Sequence, residues 1–313
     1  VSAATLNCTL ANVTDNRPLT AITALAAVSW SAPTGSSLAG AQVLYVLHSG
    51  QLYQALVPVD SSGNPQVNNV TCVATPLAGF NPLLALAANG NTLYVLGEQS
   101  NGTFAVVSVT TVNGAANQPP AIKAQTLFST PATAGITPAH IASDGSSIYV
   151  SYTGGSGGSG AGLWIFNAKA PKTAPKTVTL SQPAVSLAAA NGTVYLLLND
   201  GSLGEVSSAL QFMPLAVAVL PPVQPADPST YTISAPVPTP PALPGASPSA
   251  SPATASPTAT VGTTTSSPTL FPSGSELAIN PGQSSQLLVG DASNARIVEL
   301  SGSSSGPGLG THA

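Results

Sequence analysis

Apolar residues in this chain come in short runs, each bounded by Gly, Asn, Asp, Pro or Ser. Alternating and β-branched runs of this length predict strands, and apolar residues at helical spacing are almost absent. One grammar recurs. Leu83–Val109 reads LLALAANGNTLYVLGEQSNGTFAVVSV, and Pro138–Asn167 reads PAHIASDGSSIYVSYTGGSGGSGAGLWIFN. Ala184–Ser207 reads AVSLAAANGTVYLLLNDGSLGEVS, and Ser275–Leu300 reads SELAINPGQSSQLLVGDASNARIVEL. A looser copy, Ala21–Val59, ends in QVLYVLHSGQLYQALVPV. Each copy predicts an inner strand, a tight turn, a Tyr-bearing strand, a second turn and a third strand. Asn89-Gly90, Asp144-Gly145 and Asn191-Gly192 are expected to supply the positive φ angles of the first turn.

Tyr45, Tyr94, Tyr149 and Tyr195 hold one equivalent position, spaced by 49, 55 and 46 residues. Multi-strand repeats of about 40–50 residues are the mark of propeller blades. Fourth strands are expected at Gln66–Ala74, Ile122–Ser129, Lys176–Ser181 and Phe212–Leu220. The sequence therefore predicts an all-β propeller of about five four-stranded blades. Six blades with one degenerate, or an irregular β-sandwich, are the alternatives. The last repeat runs into a polar tail, 303–313, so the strand Thr5–Leu10 is expected to close the ring by completing the last blade. The organisation is then 1–220 for four blades and the closing strand, 221–272 for an insertion, 273–302 for the last blade, and the tail. The insertion holds 14 prolines in 52 residues, which favours extended polyproline conformation over a ladder or core.

Composition narrows the function. Among 313 residues there are 6 Lys+Arg and 10 Asp+Glu, a charged fraction of 5%, against about 25% in ordinary domains. Six scattered basic residues make no nucleic-acid footprint and no polybasic lipid patch. The best apolar run, Phe212–Val223, is broken by Pro214 and Pro221, so no membrane-spanning helix is expected. The chain opens with Val and shows no signal peptide; any anchor is expected outside it.

Two cysteines, Cys8 and Cys72, without metal-ligand spacing, predict one disulfide and an oxidising, extracytoplasmic location. Two buried free thiols are the alternative. Asn-x-Ser/Thr sequons at Asn12, Asn69, Asn101 and Asn191 are candidate glycosylation sites; that at Asn7 has Cys in the middle and is a poor acceptor.

Strand alternation puts the second-to-third-strand turns on the same face as the blade-to-blade crossings, and the Asn-Gly turns on the other. The first face collects His48, Glu98, Tyr152, the loop Gly154–Gly160, Asp200 and Asp291, which are the candidate ligand-binding residues. No catalytic residue is expected: the acids are scattered, and no nucleophile elbow, HExxH or P-loop occurs. No metal or other cofactor is expected, since His48 and His140 cannot make a three-histidine site and Gly154–Gly160 lacks the following Lys. His140 reads as a core or channel-lining residue, and Lys169, Lys172 and Lys176 as a solvated loop. Trp30 and Trp164 read as packing residues, sugar stacking by an exposed Trp being the alternative.

The segment GDASNARIVEL, Gly290–Leu300, resembles the D-x-x-N-x-R-I-V core of NHL-type propeller repeats, and the LYVL and IYVS strands resemble bacterial extracytoplasmic propellers. The NCTL, VTCVATPLAG and PVPTPP segments and LLVGDASNARIVEL are similar to the region after the membrane anchor in some bacterial Ser/Thr phosphatases and kinases. That resemblance spans most of the chain without the phosphatase domain. It implies an external sensor or interaction domain with no chemistry of its own. The expected function is non-enzymatic binding of a small ligand or protein, within a larger surface protein. The alternatives are a filament or surface-layer subunit that self-associates through 221–272, and a secreted carbohydrate-active enzyme.

Overall fold

β-branched and aromatic runs between turn formers pair locally, because a hairpin closes its ladder at little entropic cost. The computed structural model describes residues 8–10, 22–62, 64–66, 70–112, 120–130, 135–154, 160–206, 210–215, 271, 275–279, 286–291, 296–302 and 309–312. Their strands form five sheets arranged as a five-bladed β-propeller, each blade an antiparallel meander of four strands. Blade 1 contains β2 (Ile22–Val28), β3 (Gln42–His48), β4 (Gln51–Val57) and β5 (Val70–Ala74), with β1 (Cys8–Leu10) added outside β5. Blade 2 contains β6 (Phe80–Asn89), β7 (Thr92–Gln99), β8 (Phe104–Val112) and β9 (Ala121–Ser129). Blade 3 contains β10 (Ile136–Ser143), β11 (Ser147–Gly154), β12 (Ala161–Asn167) and β13 (Lys176–Leu180). Blade 4 contains β14 (Ala184–Ala190), β15 (Thr193–Leu198), β16 (Leu203–Val206) and β17 (Phe212–Pro214). Blade 5 contains β18 (Glu276–Ile279), β19 (Gln286–Asp291), β20 (Arg296–Gly302) and β21 (Leu309–His312).

The ring closure differs from expectation. The N-terminal strand does not complete the last blade: β1 runs parallel to β5, with Cys8 opposite Val70 and Leu10 opposite Cys72. Blade 5 takes its fourth strand from the stretch expected to be a polar tail, and β21 pairs with β20 from Gly302↔Leu309 to Glu299↔His312. The reason is proximity along the chain. A hairpin onto β20 closes a short loop, whereas an N-terminal strand would close one of nearly the whole chain. The sequons at Asn12 and Asn69, most of Gly154–Gly160, and the insertion as far as residue 270 lie outside the described residues.

Each blade faces the next with a repeated pair. Tyr45, Tyr94, Tyr149 and Tyr195 stand opposite Ala26, Ala87, Ala142 and Ala188 on the inner strands, and Leu288 stands opposite Ala278 in blade 5. A small residue beside the channel leaves room for the ring of its cross-strand partner. Tyr45 lies in the core shared by blades 1 and 2, Tyr94 in that of blades 2 and 3, and Tyr149 in that of blades 3 and 4. Tyr195 packs on the core of blades 4 and 5. Phe128 and Phe166 stack across the second of these seams at 3.6 Å. At the remaining seam, the described core residues come from blade 1 alone, around Val46, Ala55 and Cys72. Leu25 of β2 and Ile297 of β20 are 58% and 69% exposed. Strand alternation turns both toward that seam, because Ala26 and Val298 face the opposite way.

Candidate functional site

The turns between first and second strands converge around one mouth of the channel. Positive φ falls at Gly90, Gly145, Asn191 and Gly192. Asn89 and Asp144, expected to share this role, instead flank their turns. Asn89 pairs with Thr92 across a Gly90-Asn91 turn, and Asp144 N–H donates to the Ser147 carbonyl at 3.3 Å. Only Asn191-Gly192 is the central pair of its hairpin, between Ala190 and Thr193.

These turns are tied to one another. Ser29 N–H of blade 1 donates to the Gly90 carbonyl of blade 2 at 2.7 Å. A Cβ at Gly145 in blade 3 would lie 2.7 Å from Asn89 Oδ1 of blade 2, so the two turns sit close together, and its φ of +86° favours Gly there. Gly192 N–H of blade 4 donates to Asp144 Oδ2 of blade 3 at 3.0 Å. Blades 1 to 4 thus form a continuous belt of turn-to-turn contacts.

Asp144 is the anchor of the belt. Its Oδ1 accepts from Ser146 N–H at 2.8 Å, Ser146 Oγ–H at 2.8 Å and Ser147 N–H at 2.7 Å. Its Oδ2 accepts from Tyr149 Oη–H and Gly192 N–H, both at 3.0 Å. Burial alone pushes this carboxyl up, but the donors of Ser147, Ser146 and Tyr149 together outweigh it and hold it below the usual carboxylate range. Burial, the Asp144 charge and the hydrogen bond to it push the Tyr149 phenol up in turn.

Inside the belt lies a depression of about 1350 Å³ to which all five blades contribute. Trp30, Asn89, Asn91, Asp144, Asn191 and Ile279 are on its wall, with Ala27, Ala88, Ala189 and Ala190 between them. Asn89, Asn91 and Asn191 are exposed, and Trp30 is half-buried with one side packed on the core of blades 1 and 2. Among the described residues no Lys or Arg lines it.

The residues singled out from the sequence lie at the opposite face, one per blade, and none lines this depression. His48 ends β3; its Nδ1 is buried without a partner among the described residues, its Nε2 is 3.4 Å from Ser49 Oγ, and its ring is tilted against Tyr53 at 6.2 Å. Glu98 is half-buried near the end of β7. Tyr152 lies flat over Gly162 and stacks on Trp164 at 4.3 Å. Asp200 is exposed and its Oδ1 accepts from Ser202 N–H at 3.0 Å, which shapes its own turn. Asp291 ends β19 opposite Arg296. His140 sits at a bulge of β10, where its N–H donates to Ser151 Oγ at 3.2 Å and burial pushes its imidazole pKa down. Among the described residues no group of three or more His, Cys, Asp or Glu converges, and no helix is long and apolar enough to cross a membrane.

The residues of the mouth carry a signal that a turn-by-turn reading misses. Polar side chains recur where the inner strand gives way to its turn, Asn89 ending β6, Asp144 following β10 and Asn191 following β14, and Trp30 lies two residues beyond β2 in blade 1.

No protein-family model matches the chain, and no curated protein matches it. Solved structures are similar, two of which are as follows. Citrobacter koseri AztD shares 11% identity at a TM-score of 0.38, over 91% of this chain and 74% of that one. Myxococcus xanthus glutaminyl cyclase shares 14% identity at a TM-score of 0.35, over 88% of this chain and 96% of that one. Neither likeness bears on ligand or chemistry.

Proposed function

We propose that this chain is a non-enzymatic, extracytoplasmic propeller that binds a ligand or partner, as the sensory or interaction module of a larger surface protein. The observation that carries this reading is the mouth itself. It is a depression built by all five blades, whose only acid among the described residues is held by five donors of the fold. A carboxylate so engaged is a poor general base or nucleophile, while the surrounding amides are good recognition groups. A propeller fold fits a binding or interaction module. The NHL-like segment Gly290–Leu300 and the likeness to regions after a membrane anchor support the sensory part of the proposal.

The extracytoplasmic part rests on Cys72, which is buried and disulfide-bonded. We propose Cys8 as its partner, since the chain has two cysteines and β1 lies against β5. Non-reducing peptide mapping of protein from its native source is expected to yield one Cys8–Cys72 cross-linked peptide; two free thiols would overturn the location.

The function is tested by thermal-shift screening of the purified chain against saccharide, peptide and metabolite sets, with mass spectrometry of each bound compound. A saturable shift with the compound recovered intact is expected. Conversion of a bound compound would make the chain an enzyme. Absence of any shift, with ordered polymers by electron microscopy, would make it a structural subunit.

A further inference from the structure

Resting on the ligand-binding reading above, we infer that the mouth takes an uncharged, hydroxyl-rich ligand, a short saccharide, held between the Trp30 indole and the side-chain amides of Asn89, Asn91 and Asn191. Charge argues first. Among the described residues the wall holds no Lys or Arg, and its one carboxylate already accepts five hydrogen bonds, so neither an anion nor a cation finds a counter-charge there. A charged ligand would lose its hydration without a partner.

The exposed carboxamides suit hydroxyls, the Asn91 Oδ1 also accepting from the Thr92 hydroxyl at 3.4 Å. A carboxamide offers donor and acceptor together and can meet neighbouring hydroxyls with both. Three of them, on blades 2 and 4, stand exposed around the mouth, with Ser29 and Ser31 beside Trp30. Trp30 supplies what a purely polar site lacks, a broad apolar face for the C–H side of a pyranose ring. The alanines between these groups add a shallow apolar floor. The depression, at about 1350 Å³, exceeds the usual range of about 300–1,000 Å³ for small-molecule sites, so it accommodates more than one sugar unit.

Preorganisation argues last. The turns carrying Asn89, Asn91 and Asn191 belong to the belt fixed by Ser29–Gly90 and Asp144–Gly192 hydrogen bonds. Recognition groups held this way lose little freedom when a weakly binding neutral ligand arrives.

The test uses the intact chain and three soluble probes, trisaccharides of glucose, N-acetylglucosamine and xylose, at millimolar concentration. Trp164 is 4% exposed and stacked on Tyr152, so a bound sugar is read by Trp30 emission. At least one probe is expected to change that emission saturably and to give a calorimetric isotherm. N91A and N191A are expected to weaken binding about tenfold each, and K123A on the outer strand of blade 2 to leave it unchanged. Because Trp30 also packs on the core, W30F is used with W30A, and both are expected to weaken binding. Silence from all three probes, with a thermal shift from a compound of another class, would overturn the saccharide inference and leave the binding reading intact. Binding that survives N91A, N191A and W30F unchanged would place the ligand elsewhere. Silence from every class of compound would remove the binding reading itself.

Discussion

Asp144 and Gly192 lie 48 residues apart on neighbouring blades, and the carboxylate of one caps the hairpin amide of the other at 3.0 Å. The same Oδ2 accepts the Tyr149 hydroxyl at 3.0 Å, so one oxygen joins a turn, a core tyrosine and the next blade. In Asp144→Asn, either Oδ1 or Oδ2 becomes an amide nitrogen that faces donors. The variant is expected to lose about 1–3 kcal/mol in urea denaturation. Asp200→Asn, whose carboxylate caps only its own exposed turn, is expected to change stability by less than about 0.5 kcal/mol.

The same cluster makes stability pH-dependent at both ends. The Asp144 carboxyl titrates lower in the fold than in the unfolded chain. Its contribution is therefore complete above the unfolded value, about 3.9, and is lost as pH falls through the lower folded value. Burial raises the phenols of Tyr45, Tyr94, Tyr149 and Tyr195, so their contribution is complete below about pH 10 and is lost as pH rises beyond it. Urea midpoints against pH are expected to fall at both limits. In Asp144→Asn the acid limb should shrink and Tyr149 should ionise at lower pH, which absorbance at 295 nm reads. An unchanged Tyr149 titration would mean that the Asp144 charge does not reach the phenol.

Gln54 is buried in β4, where its Nε2 donates to Tyr45 Oη and to the Pro120 carbonyl of blade 2, both at 3.1 Å. Gln54→Ala leaves both acceptors without this donor and is expected to cost about 1–3 kcal/mol. Tyr45→Phe removes one of those acceptors, so the double variant should cost less than the sum of the two single ones. Additive losses in a double-mutant cycle would show that the two groups are not coupled.

Gly162 is the floor on which Tyr152 lies. A Cβ there would collide with the Tyr152 ring and hydroxyl, so Gly162→Ala must lift Tyr152 off Trp164. The expected cost is about 1–3 kcal/mol, with altered near-UV circular dichroism. A variant with wild-type melting and an unchanged spectrum would mean that the stack is not held as described.

Removing residues 303–313 takes β21 from blade 5 and bares the edge of β20. A marked loss of melting temperature and a tendency to associate through the open edge are expected. A truncated chain that melts like the full one would assign those residues no part in the blade.

The propeller is legible because each blade repeats one physical solution. The Ala–Tyr pairs recur from Ala26–Tyr45 to Ala188–Tyr195, and blade 5 keeps the Ala while replacing the ring with Leu288. The two closing strands are less legible for different reasons. Leu309–His312 is four residues with one Gly and no alternation of use. The partner of Cys8–Leu10 is decided by a parallel contact with β5, which leaves no local trace. The mouth is obscured by double duty. Asn89, Asp144 and Asn191 satisfy a turn-forming rule so well that their shared position around the channel is easily passed over. The more varied side chains His48, Glu98 and Asp200 draw attention to the other face.

Among the described residues, one seam of the disc is packed from one side alone. Exposed Leu25 and Ile297 flank the join between blades 5 and 1, while the other four joins are packed from both sides. That seam lies between Val28 and Ile279, which both border the depression. Were that join to open, the aperture would widen without breaking any of the four cores packed from both sides, which would tie the span of the mouth to the compliance of the ring.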